Sequence, residues 1–198
     1  MVKKSERPKL GKQDWIKAGS QVLAACGVEA VRIEPLAKRL KVTKGSFYWH
    51  FKNRQALLEA ILQAWVEQQT EGIIEKIDAL EADAIAKLRH LFELAVEDDG
   101  AVEVAIRAWA TNDAGVARML ENVDRRRLNY TKDLFLALGF TPFEATVRAR
   151  MVYYALVGEF TIGVRASRDE RLAEIRLQHE ILTNRSQQKS QRGDNVSQ

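Results

Sequence analysis

Apolar residues recur at three- and four-residue intervals along most of this chain, the period of helices that bury one side. The first pattern covers Lys12 to Cys26, with Trp15, Gly19, Val22, Leu23 and Cys26 on one stripe and Gly27 as its stop. A short second pattern places Ile33, Leu36, Ala37 and Leu40 on one face. Pro35 fits only a first helical turn, so that helix cannot begin much before Glu34. Thr43 then caps a third helix, about Lys44 to His50, whose inward positions are Phe47 and Phe51. Asn53 caps a long helix that starts at Arg54 and buries Leu57, Leu58, Ile61, Leu62 and Trp65.

Helical spacing continues beyond residue 70. Ile85, Leu88, Leu91, Phe92 and Ala95 form a stripe, and a shorter apolar segment runs from Val102 to Trp109. Val116, Leu120, Val123, Tyr130, Leu134 and Leu138 mark a long helix that ends at Gly139. Thr141, Pro142 and Glu144 together read as a capping box with proline at the first helical position. The helix that follows, about Pro142 to Val164, is apolar on nearly every side from Met151 onward, with Ala155, Gly158 and Gly163 as small gaps. A helix apolar all round must be covered all round. A last amphipathic helix, about Arg168 to Thr183, carries Leu172, Ile175, His179 and Leu182, with Ile181 beside them.

Composition agrees with a helical reading. The chain has 198 residues, 46% of them hydrophobic and 29% charged, with only three prolines. That suffices for a sizeable core, and the expected fold is all-α. The lone cysteine, Cys26, excludes an intramolecular disulfide; its place on the apolar stripe predicts a buried thiol and a reducing, cytoplasmic setting. The opening MVKKSERPKL lacks the apolar centre of a signal peptide, and the longest wholly apolar run, Met151 to Gly158, is too short to cross a bilayer.

Charge is unevenly placed, and this changes the picture. Residues 1–55 hold 13 Lys or Arg against 4 Asp or Glu; the remainder holds 18 against 23. A basic first quarter on an acidic body points to a polyanion held by one end. A merely solvated basic face gives the same balance.

The stretch TKGSFYWHFKN, residues 43–53, sharpens the choice. Three consecutive aromatics cannot share one helix face, since neighbours lie about 100° apart. With Phe47 and Phe51 inward, Lys44, Gly45, Ser46, Tyr48, Trp49 and His50 are left on the other faces. Residues 33–51 thus read as helix, tight turn, helix, braced on both sides, the arrangement whose second helix enters the major groove of DNA. Gly45 costs the helix roughly 1 kcal/mol relative to Ala but lets its backbone approach a duplex closely.

The residues Leu36, Ala37, Val42, Thr43, Lys44, Gly45, Ser46, Phe47, Tyr48, Trp49, His50 and Phe51 resemble the DNA-binding signature of the TetR (tetracycline repressor) family, over about 45 of the 198 residues. Two positions depart from the family pattern. Arg32 stands where Ser or Thr usually caps the first short helix, and Lys41 where the turn often has a small residue. The resemblance implies a helix-turn-helix DNA-binding domain (12–53) and a helical effector-binding and dimerisation domain (54–185), and the composition at the two ends reads as a basic arm (1–11) and a disordered tail (186–198). The resemblance also implies a ligand-responsive regulator, most simply a repressor, that binds an operator in double-stranded DNA as a homodimer and is released by a small-molecule effector. DNA contacts are expected from Arg32, Thr43, Lys44, Gly45, Ser46, Tyr48, Trp49, His50 and Lys52.

By the same resemblance, the two C-terminal helices pair with their twins through Ala155, Gly158, Ile162, Leu172, Ile175, His179 and Leu182. Candidates for an effector cavity are Trp65, Phe92, Trp109, Met119, Tyr130, Met151 and Tyr154, together with two charges within apolar stripes, Arg107 and Glu159. For each ring or methionine, core packing is the simpler reading. Each of the two charges is equally half of a salt bridge. Nothing in the chain suggests a metal site, a cofactor or catalysis: His50, His90 and His179 lie far apart, and no Gly-rich phosphate loop occurs. The alternative is a helical small-molecule carrier or enzyme whose basic end is incidental.

Overall fold

The computed structural model describes residues 10–162 and 166–184. Among the described residues there are ten α-helices and no strand. They are α1 (Lys12–Cys26), α2 (Ile33–Arg39), α3 (Lys44–Tyr48), α4 (Arg54–Val66), α5 (Gly72–Asp78), α6 (Ala84–Glu97), α7 (Ala101–Ala110), α8 (Ala114–Ala137), α9 (Pro142–Ile162) and α10 (Arg168–Thr183). The all-α expectation holds. The arm to residue 9, the tail from 185, and Gly163 and Val164 lie outside the described residues.

The chain forms two compact units. One takes residues up to Glu75 and then Asp99–Arg127; the other takes Lys76–Asp98 and Leu128 onward. In the first unit, α1 to α4 close around Trp15, Leu23, Leu36, Phe47, Leu57 and Ile61, each without exposed surface. Phe47 meets the Trp15 ring edge-on at 5.2 Å and stacks on Phe51 at 5.4 Å. Gly19 lets α1 and α4 approach: a Cβ there would stand 2.5 Å from Ile61 Cδ1. α7 packs on α1 in the same unit.

Local chemistry explains the boundaries. Asn53 caps α4 as expected, its Oδ1 accepting from Ala56 N at 2.9 Å. Thr141 and Glu144 close the expected box at α9. Ser167 and Glu170 close another at α10, where the Ser167 hydroxyl holds the Glu170 carboxyl below its ordinary range. Thr43 occupies the cap position of α3, but its side chain makes no capping bond. Arg32 likewise gives no side-chain cap to α2; its Nε donates instead to Glu29 O at 3.0 Å.

Other expectations are corrected. Cys26 is exposed: it keeps the angular position of the stripe but is the last residue of α1, beyond the buried Leu23. Ile85, the second residue of α6, is exposed while Val96 is buried. α3 ends at Tyr48 and not at His50. Lys41 has φ 57°, the left-handed region that costs an L-residue with a side chain roughly 1–2 kcal/mol. That conformation gives a physical reason for a small residue in this turn.

α4 and α5 are joined by a π segment, Glu67–Glu71. Its widened turn is closed by Gly72 N–H bonding Glu67 O, and a Cβ on Gly72 would stand 2.9 Å from that oxygen. The Arg127 side chain braces the segment, donating to Gln69 O at 3.1 Å and to Thr70 Oγ1 at 2.9 Å.

In the second unit α6 packs on α10. α9 and α10 run antiparallel, tied by Arg148 Nε to Leu182 O at 3.0 Å and, equally far along both helices, by an ion pair from Arg171 to Glu159.

Candidate nucleic-acid interface and effector residues

α3 presents its outer face because Phe47 and Phe51 are spent on the core. Tyr48 is 54% exposed and Trp49 88% exposed, extreme values for large rings. Lys44, Gly45 and Lys52 are exposed beside them, and Ser46 and His50 are half-buried. A Cβ on Gly45 would meet nothing nearer than Thr43 Oγ1 at 3.6 Å, so no packing inside the chain requires glycine there. Arg32, Lys41 and Thr43 are exposed at the start of this surface.

Lys44 is engaged. Its Nζ donates to Glu34 Oε1 at 2.7 Å. That hydrogen bond and the charges behind it raise the Lys44 pKa and lower that of Glu34. Both groups face water, so the bond is open to exchange with another anion.

Sequence reasoning missed Arg54, which ties this head together. Its guanidinium donates to Val31 O at 2.7 Å and to Val28 O at 2.5 Å, tying the start of α4 to the turn before α2. The signal was an arginine directly after a helix cap, where a solvated side chain is the default.

The effector candidates separate. Met119 lines an open groove on the first unit; Trp65 and Trp109 are in that unit's core. The Arg127 guanidinium lies 5.0 Å above the Trp65 ring, and the buried Trp65 Nε1 has no hydrogen-bond partner. Arg107 is half of an ion-pair network. It reaches Glu103 at 2.7 Å and Asp124 at 2.8 Å, and the second oxygen of the buried Glu103 takes Arg127 at 2.8 Å. Two arginines and two carboxylates balance, which is how charges persist away from water.

In the second unit Phe92 is buried against His179, and Tyr130 donates to Asp78 Oδ1 at 2.7 Å. Met151 and Tyr154 are 55% and 59% exposed, on the surface of the unit and not in its core. Glu159 pairs with Arg171, whose Nη1 donates to Val96 O at 3.0 Å.

The outer faces of α9 and α10 carry an exposed apolar stripe. It runs through Phe143, Val147, Met151, Tyr154 and Ile162 on α9, and Leu177 and Ile181 on α10. Ala155 is exposed and Gly158 half-buried along it. Two of the residues expected at a twin interface are corrected. His179 and Leu182 are buried inside their own unit, with a His179 ring nitrogen 3.0 Å from Ile85 O. Leu172 and Ile175 are half-buried. The helix has a second apolar pair, Leu177 and Ile181 at i, i+4, and that pair faces outward.

Comparison with known proteins decides the family. Residues 16–61 match the model of bacterial regulatory proteins of the TetR family. The tetracycline repressor class G protein of Vibrio anguillarum is 30% identical over 170 residues, covering 83% of this chain and 74% of that one. The chain belongs to the TetR family. It is a ligand-responsive, DNA-binding regulator of transcription. Solved structures share the fold. The fatty acid degradation regulator FadR from Bacillus halodurans superposes with TM-score 0.66 at 16% identity, over 93% of this chain and 99% of that one. AibR, solved with isovaleryl coenzyme A and operator DNA, superposes with TM-score 0.67 at 14% identity, over 87% and 97%. Among the described residues no helix is long and apolar enough to cross a membrane, and no cluster of three metal-holding groups occurs.

Proposed function

We propose that this TetR-family protein is a cytoplasmic repressor that grips an operator as a homodimer and lets go when a small organic effector binds. The observation that carries the reading is the α3 surface. A tryptophan 88% exposed is flanked by lysines and by a glycine that no internal packing requires. In this reading Lys44, Tyr48 and Lys52, with Arg32 and Thr43, hold phosphates, while Ser46 and Trp49 reach base edges. Gly45 brings the helix backbone close to the duplex, and His50 flanks it. The exposed stripe through Met151, Tyr154, Ala155, Gly158 and Ile162, extended by Leu177 and Ile181, seats the second copy. The AibR structure, solved with a ligand and operator DNA, supports a fold with a place for each.

Selection of bound duplexes from random DNA tests the reading. The expected product is a two-fold symmetric site whose halves lie about one helical turn apart, roughly 34–36 Å. Recovery of no sequence above background, or binding insensitive to salt, overturns it.

A further inference from the structure

On the first unit, an open groove of about 530 Å³ lies between α4 with its π segment and the first half of α8. That volume suits a small organic molecule. Its lining is apolar along Val66, Met119 and Val123, and its charged lining residues are Arg126 and Glu71. These two face each other loosely, at 3.3 and 3.4 Å, and each is nearly half exposed. The neighbouring Arg107 and Arg127 are held at 2.7 to 2.8 Å by the buried Glu103. Of these three arginines, Arg126 is therefore the one an incoming anion can win. A carboxylate can take its planar fork through two parallel bonds, shorter than those Glu71 makes.

The groove also touches the helix that leads away from the DNA-facing head. Thr70 lines it and accepts from Arg127 within the π segment. Glu71 ends that segment, directly before the Gly72 whose N–H closes the turn. An anion on Arg126 removes the partner of Glu71 and repels its carboxylate. A ligand here thus acts on the π turn through two of its residues. π turns of this kind gather at functional sites.

The geometry points to this groove as the site of an organic monocarboxylate, its charged end on Arg126 in place of Glu71 and its apolar body along Val66, Met119 and Val123. The inference deepens the effector reading proposed above and rests on it.

Calorimetric titration of the full-length protein with octanoate, decanoate and 3-phenylpropanoate tests it, with octylamine and octanol as controls of matched length. At least one carboxylate should bind. Arg126→Gln should weaken that binding about 10- to 100-fold, the range of a charge-assisted pair. Arg126→Lys should fall between, and Glu71→Gln should leave binding equal or tighter. The pair is exposed, so melting curves of all three variants should match the parent. The inference is overturned if none of the three acids binds, if Arg126→Gln binds them as the parent does, or if octylamine binds and Glu71→Gln abolishes it. A compound screen on operator release separates the two readings. A compound that releases parent and Arg126→Gln alike overturns the groove and upholds the effector response. A screen in which nothing releases the operator overturns the effector response itself.

Discussion

Two exposed apolar surfaces in this chain differ in their setting, and the setting tells their partners apart. On α3, Tyr48 and Trp49 stand among Lys44, Lys52 and a bare Gly45, in the quarter of the chain with 13 basic against 4 acidic residues. On α9 the stripe from Phe143 to Ile162 repeats every three or four residues, through Ala155 and Gly158, with one exposed cation, Arg150, at its edge. Isolated rings ringed by cations suit a polyanion, because the charges supply affinity and the ring reads shape. A long continuous stripe suits a like surface, because only area removed from water stabilises it. The same exposed hydrophobicity thus carries two opposite meanings.

The comparison breaks first at the stripe. Tyr154→Glu should convert the dimer to a monomer with native helicity, since Tyr154 is 59% exposed and touches no core. Operator affinity should then fall by about 100-fold or more, because one half-site buries too little of the protein to bind tightly. Light scattering that still finds a dimer removes α9 from the interface. Gly158→Ala sharpens the same point: a Cβ there meets nothing closer than Ile162 Cδ1 at 4.0 Å, so a loss of dimer from this single methyl reports the partner and not an internal clash.

Within the head, Phe47→Ala and Trp49→Ala should divide cleanly. Phe47 has no exposed surface, so its loss should cost about 3–5 kcal/mol in denaturant melts. Trp49→Ala should leave stability within about 0.5 kcal/mol and still weaken operator binding about tenfold. A destabilised Trp49→Ala protein contradicts the exposed placement, and unchanged DNA binding contradicts its role.

These pairs show what was legible in the sequence. Phe47 and Phe51, four apart, fixed α3 against the core, and the Asn53 cap and the Thr141–Glu144 box marked helix starts, because each signal spans only a few residues. The placement of Cys26, His179 and Leu182 was not legible. Each lies on an apolar stripe, and which stripe faces the own core and which faces outward depends on distant helices. The same holds for Arg107 and Glu159: a charge in an apolar stripe shows that a partner exists, but Asp124 and Arg171 come from other helices. The π segment carried one local trace, Gly72, whose missing side chain admits Glu67 O.

A smaller effect separates positioning from reading at the DNA face. Lys52→Ala should weaken binding of every duplex alike and lower the slope of log K against log salt by about one. Sequence preference recovered by selection should not change. A shifted preference with an unchanged slope moves Lys52 from phosphate to base.

The smallest effect concerns the Lys44–Glu34 bond, which joins the DNA face to α2. In the free protein Lys44 is held at 2.7 Å, so a phosphate must replace Glu34 before it gains that lysine. Glu34→Gln should therefore tighten binding of any duplex a few-fold at low salt, and the gain should fade as salt screens both charges. The pH dependence follows from the sign of the shift. The Lys44 hydrogen bond lowers the Glu34 pKa in the folded state, so its contribution is present above the ordinary carboxylate range and is lost as pH falls through the lowered value. Between about pH 5 and 8 the carboxylate stays ionised and Lys44 stays charged, so the ratio of Glu34→Gln to parent affinity should be flat there. The ratio should approach one only in more acidic solution, where protonated Glu34 no longer competes for Lys44. Fluorescence anisotropy with a labelled duplex across that range checks it, and a ratio that varies near neutrality assigns the competition to a different group.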